Sequence, residues 1–290
     1  MFKFGCAYVV ISFALLISPC FAASSRTSND FNKYVIRAVE HLMTNRAGKG
    51  YADVAFTQDL GFGDFGMLKA QKPPQTMCVA ASLEALVEAL NFYADDTQDF
   101  SPFHHIPKVS WERLRPRDFR GQMWGVANSP SQGSGDAFDT FGMGGRAPFS
   151  ELAPGNFINF NRNNGGGSAG VFLGYIDRNG TDLSGYSDQV SGFKYFSAQG
   201  KGRPDGGLGF RWGFFQGSCP VLTDGRKRDC GILRAEHNND LMGGYVLPPW
   251  SWDKKKATDY VNESNAVTDP AMIIEAVFNS DRCTGVTIDD

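Results

Sequence analysis

The chain has 290 residues, with 28 basic against 31 acidic side chains and a formal charge of −3. That length can bury a full hydrophobic core, and the lack of a basic excess argues against nucleic acid as a main partner. The 34 Gly and 24 Phe argue against a helical bundle and point to a loop-rich, strand-containing protein with aromatic packing.

Residues 1–22 read as a secretory signal peptide. Lys3 supplies the positive n-region, residues 7–17 an apolar stretch, and Pro19-Cys20-Phe21-Ala22-Ala23 the small residues of a cleavage site. The stretch is shorter than the ~20 residues of a spanning helix, and no later segment is apolar enough to be one. The expected location is periplasmic or secreted, with no integral membrane segment in the mature chain. Cys6 and Cys20 would leave with the leader, so Cys78, Cys219, Cys230 and Cys283 remain. An exported chain favours disulfides. Cys219 and Cys230 flank the turn-rich Thr223-Asp224-Gly225 and are expected to staple a short loop; Cys78 then either keeps its thiol or bridges to Cys283.

The predicted elements begin with an N-terminal helical and loop extension, 23–66. A helix over 30–47 places Phe31, Tyr34, Val35, Ala38, Val39 and Leu42 at helical spacing, with Asn29 or Asp30 as cap. A glycine-rich irregular stretch follows over 48–66. The central domain, 67–218, opens with the clearest helix, 78–93. Val79, Leu83, Leu86, Val87 and Leu90 form its apolar face, Glu84 and Glu88 lie opposite, and Thr76 is the expected N-cap. Pro102, Pro107 and Pro116 keep 95–135 from forming long elements. Strands are predicted at 157–160, 169–176, 192–197 and 210–215, the first two separated by Asn163-Asn164-Gly165-Gly166-Gly167. Helices first and antiparallel strands afterwards make an α+β domain. Residues 219–290 read as a satellite extension with a short amphipathic stretch near 271–278.

Cys78 carries the most pointed chemistry. A thiol attacks only as thiolate, and the first turn of a helix favours that anion through its open backbone donors and dipole. Gln71 or Gln75, just upstream, could donate to an oxyanion. Beyond this helix, Leu152-Ala153-Pro154-Gly155-Asn156-Phe157-Ile158-Asn159-Phe160 precedes Ser168-Ala169-Gly170-Val171-Phe172-Leu173-Gly174. This order of parts resembles the papain-like fold of the NlpC-type cell-wall cysteine peptidases and amidases. Those enzymes pair a helix-start cysteine with Leu-x-Pro-Gly-Asp and His-Val-Gly-Ile-Tyr-Leu-Gly strands. The similarity spans about residues 70 to 200.

The resemblance implies a nucleophile helix packed on an antiparallel sheet, with Cys78 as nucleophile and peptidoglycan stem peptides or other peptides as substrate. It places Ser168 where the family carries its histidine base, Asn156 where it carries Asp, and Ser197 or Gln199 at the third polar position. Serine has no useful basicity near neutral pH. The implied activity, amide hydrolysis through Cys78, would then need a displaced base among His104, His105 and His237; His41 reads as a helix-surface residue. The alternative is a catalytically silent relative binding cell-wall fragments or a protein partner on the same fold. A structural extracellular domain with Cys78 in a disulfide is a third reading.

No metal site or cofactor is expected. No His-x-x-x-His or Cys-x-x-Cys pair exists, Gly61-Phe62-Gly63-Asp64-Phe65-Gly66 lacks the strand and helix of a dinucleotide loop, and the loop from Asp177 lacks a twelfth-position acid for calcium.

Overall fold

The computed structural model describes residues 27–126, 128–234 and 240–266. The predicted leader, His237, Cys283 and the stretch near 271–278 lie outside the described residues. The first half holds α1 (Asn32–Arg46), the short strands β1 (Leu60–Gly61) and β2 (Met67–Leu68), and the long helix α2 (Cys78–Thr97). Three short helices follow, α3 (Lys108–Glu112), α4 (Phe119–Trp124) and α5 (Ser134–Thr140). The strands are then β3 (Gly144–Ala147), β4 (Phe157–Asn161), β5 (Gly167–Ile176), β6 (Asp182–Leu183), β7 (Gly192–Gln199), β8 (Gly207–Phe215), β9 (Arg228–Ile232) and β10 (Leu241–Val246), before α6 (Lys254–Ala266). The main sheet runs β3-β10-β4-β5-β7-β8-β9, with β6 on β5. Only β8–β9 is parallel. The α+β expectation holds.

Two sequence expectations are corrected. Among the described residues after 219, the expected satellite extension supplies two strands of the sheet itself: β9 forms one edge, and β10 lies between β3 and β4. The β10 strand is Leu-Met-Gly-Gly-Tyr-Val, whose glycines weaken any strand signal. Bareness is needed there, because a Cβ on Gly243 would stand 2.4 Å from Leu152 Cδ2 and one on Gly244 2.7 Å from Gly135 Cα. Nor is α1 peripheral. It packs against α2, and its predicted apolar stripe from Phe31 to Leu42 lies in the same core.

Each face of the sheet carries its own core. Side chains alternate along a strand, so Phe157, Ala169, Val171, Phe196 and Ala198 join α2 in one cluster. Their neighbours Ile158, Phe160, Phe172, Phe193 and Tyr195 form a second cluster behind the sheet. Phe149 centres that second layer, edge-on to Phe172, Tyr175, Phe193 and Phe215. The high phenylalanine content is used in such edge-to-face contacts.

The predicted two-faced character of α2 is also corrected. Residues 78–87 are buried without interruption, Ser82 and Glu84 included. The helix is enclosed by β5 and β7 on one side and by α1, α4 and β1 on others, and a helix buried all round has no polar face. Thr76 does not cap it: the N-cap is Met77 without a side-chain bond, and Thr76 Oγ1 is buried with no hydrogen-bond partner.

Glu84 is fully buried, where it accepts hydrogen bonds from the Thr57 amide (2.8 Å) and hydroxyl (2.6 Å). Burial outweighs those bonds and raises its pKa from 4.5 to about 7. The folded state therefore holds this proton more tightly than the unfolded chain does. The stability it contributes is complete below about pH 4.5 and is lost as pH rises to about 7, a change on the order of 3 kcal/mol. Gln keeps one acceptor for the amide and supplies a donor to the hydroxyl. Glu84→Gln is predicted to be more stable than wild type at about pH 8, with the difference vanishing near pH 4. Urea midpoints across pH measure this, and a variant weaker than wild type at pH 8 would contradict it.

Candidate functional site

The start of α2 lies where β7 ends and β8 begins. Segment 47–51 bridges these parts: Ala47 pairs with Leu208, Gly50 N donates to Gly206 O, and Tyr51 pairs with Thr76. Cys78 is in the first turn, as expected, but it is 0% exposed and lies within the α2 core. The sheet residues on that face, at that end, are Ala169 and Ala198.

Ser168 is not their equivalent. It shares the face of Gly170 and Phe172, and its hydroxyl lies 3.5 Å from that of Ser197, between Tyr195 and Gln199 on β7. Ser197 donates to Ala169 O (2.6 Å). Ser168, Ser197 and Gln199 therefore lie behind the sheet, on the face opposite Cys78. The period-2 alternation keeps a strand residue there from reaching α2.

The other predicted participants are also held elsewhere. Gln71 Oε1 accepts from Ala55 N (3.1 Å), and Gln75 packs against Gly50 with its Oε1 buried and without a partner. His104 pairs with Asp64 at 3.3 Å. Buried His105 donates from Nε2 to Phe141 O (2.7 Å), and burial lowers its pKa. His41 lies against Asn45 and edge-on to Phe92. Asn156 is structural: its amide donates to Thr27 O and its Oδ1 accepts from Ala153 N, shaping the turn into β4. The two strands that carry the family-like motifs do pair, Phe157 opposite Val171 through Asn161 opposite Gly167.

Behind the sheet the polar residues converge. Arg162, at the end of β4, grips Asp229 of β9 through Nε (2.7 Å) and Nη2 (2.8 Å), and both are nearly sealed, at 2% and 3% exposed. The Tyr195 hydroxyl donates to Asp229 Oδ2 (2.5 Å), and Gln199 Nε2 donates to Tyr195 Oη (2.5 Å). Arg211 Nε, from β8, donates to Gln199 Oε1 (3.0 Å). Burial, with the Asp229 carboxylate beside it, pushes the Tyr195 phenol well above its ordinary pKa, so it stays a donor. Burial lowers the pKa of Arg211.

This network floors a cavity of about 550 Å³, rimmed by Arg203, Asp205, Lys227 and Arg228, a size suited to a small ligand. The predicted Cys219–Cys230 disulfide is present, and Cys230 lines the same cavity. A shallower groove on the α1 side of β8, lined by Met43, Leu208, Phe210 and Trp212, shares Asp205, Arg211 and Lys227 with it. Neither depression includes Cys78. The sequence held a signal for this site, namely charged residues inside apolar strands, Arg211 between Phe210 and Trp212 and Asp229 before Cys230. Their partnership depends on a register that local pattern does not reveal.

No protein-family model, curated protein or solved structure matches this chain. Among the described residues no cluster of His, Cys, Asp or Glu could hold a metal ion, and no helix is long and apolar enough to cross a membrane.

Removing the central carboxylate tests the network. Asp229→Asn leaves Arg162 and Arg211 buried around a neutral side chain and should cost about 3–5 kcal/mol in urea unfolding. Tyr195→Phe should cost only about 1 kcal/mol, because Asp229 keeps its arginine bonds. Equal, small losses for both would show that Asp229 is not the hub.

Proposed function

We propose that this chain is an exported, catalytically silent binding module on a papain-like scaffold of the NlpC type, and that it engages a peptide or cell-wall peptide fragment behind the sheet rather than at Cys78. The observation carrying this reading is the burial of Cys78, which is 0% exposed within the α2 core. A cysteine hydrolase needs a nucleophile that substrate can touch. The cavity behind the sheet, by contrast, offers a concave surface with buried polar groups and a cationic rim. Such a surface binds without turning over.

Because Ser168 points behind the sheet, installing a histidine there cannot restore a catalytic pair. Wild type, Cys78→Ala and Ser168→His are all predicted to release no soluble fragments from purified peptidoglycan. Wild type and Cys78→Ala should be retained equally on that peptidoglycan in a sedimentation assay. Hydrolysis by wild type that Cys78→Ala abolishes would overturn the reading; so would the absence of any retention.

A further inference from the structure

The buried network behind the sheet does not balance its charge. Arg162 and Asp229 neutralise one another through two hydrogen bonds. Arg211 is 6% exposed, lines the cavity, and makes no salt bridge within 4 Å among the described residues, with the Asp229 and Asp205 carboxylates acting on it only through space. Its recorded bonds are to neutral acceptors, Gln199 Oε1 and Phe210 O, made by Nε and Nη1. A buried guanidinium with no carboxylate in direct contact is costly, and such groups are normally paired. The rim adds to the imbalance. Arg203, Lys227 and Arg228 face Asp205 alone, which is itself 2.6 Å from Lys227 and 4.0 Å from Arg203. Asp229 reaches Arg211 only through space, and its oxygens take their bonds from Arg162, Tyr195 and Gln199, so its charge is shared with Arg162.

We infer that the cavity is an oxyanion-binding site, in which Arg211 and the cationic rim take a carboxylate or phosphoryl group of the ligand. The fork geometry of guanidinium suits either group, and the charge left over inside is that of a monoanion. This deepens the binding-module reading, on which it rests for the use of this cavity by a peptide-type ligand; a peptide would present its carboxylate here.

Thermal unfolding of the full chain in sodium acetate and in sodium phosphate, each against sodium chloride at matched ionic strength, tests the inference. Either oxyanion should raise Tm by about 3 °C at roughly five times its Kd. A response to acetate assigns a carboxylate and a response to phosphate a phosphoryl group. Arg211→Gln should abolish the shift. If that variant does not fold, the exposed rim pair Arg203→Gln with Arg228→Gln serves instead, with its Tm in chloride unchanged and its oxyanion affinity lowered about tenfold. An equal shift in the variants, or none beyond chloride in wild type, overturns the site. Peptidoglycan retention that survives Arg211→Gln would remove this inference while leaving the binding module. An oxyanion shift without retention would do the reverse.

Discussion

The enclosure of α2 constrains everything else in this protein. Over its first ten residues, 78–87, this helix is covered by the sheet on one side and by α1, α4 and the segment leading from α1 on the others, and has no surface of its own. Its side chains can then only pack, and nearly all of them are apolar or small. Burying each of Leu83, Leu86, Val87 and Leu90 contributes about 1.5–3 kcal/mol, and this helix ties both halves of the chain together. The same enclosure converts Cys78, at a position suited by its helix-start setting to a thiolate, into a core residue. Small, weakly polar thiols are well suited to such a place.

Chemistry has a second setting because the sheet has a second face. There the strands present Arg162, Tyr195, Ser197, Gln199, Arg211 and Asp229 instead of a purely aromatic layer. A buried polar network of this kind is stable only when its members are satisfied. Here the hydrogen bonds run from Arg211 through Gln199 and Tyr195 to Asp229 and Arg162, which leaves one positive charge facing the cavity. The cavity wall is held by a short disulfide loop at the β9 edge. Constraining the residues around Arg228 and Asp229 reduces the ordering cost of binding.

Much of this architecture is legible in the sequence. The stripe from Phe31 to Leu42, the apolar run after Cys78 and the strands around the glycine turn at 165–167 each carry a period that burial enforces. The Cys219–Cys230 staple follows from its short spacing around a turn. Strand β10 escaped notice because Gly243 and Gly244 remove the side chains that signal a strand, for the same steric reason that admits the strand between its neighbours. The face on which Ser168 lies was hidden for another reason. A one-residue difference in register exchanges the two sides of a strand, so a motif that matches a family's order of residues still does not say which side meets the nucleophile helix. Arg162 and Asp229, 67 positions apart, are brought together only by the pairing of whole strands.

The central claim, that Cys78 is a sealed core residue and that binding occurs behind the sheet, is tested most directly by peptide-resolved mass spectrometry of cysteine alkylation. The folded protein is treated with iodoacetamide without reductant, and a reduced, guanidinium-unfolded sample serves as control. Cys78 is predicted to stay unmodified in the folded protein and to react fully in the unfolded one. Rapid modification of Cys78 in the folded protein, at the rate of an exposed and activated thiolate, would contradict the account and return the site to the head of α2.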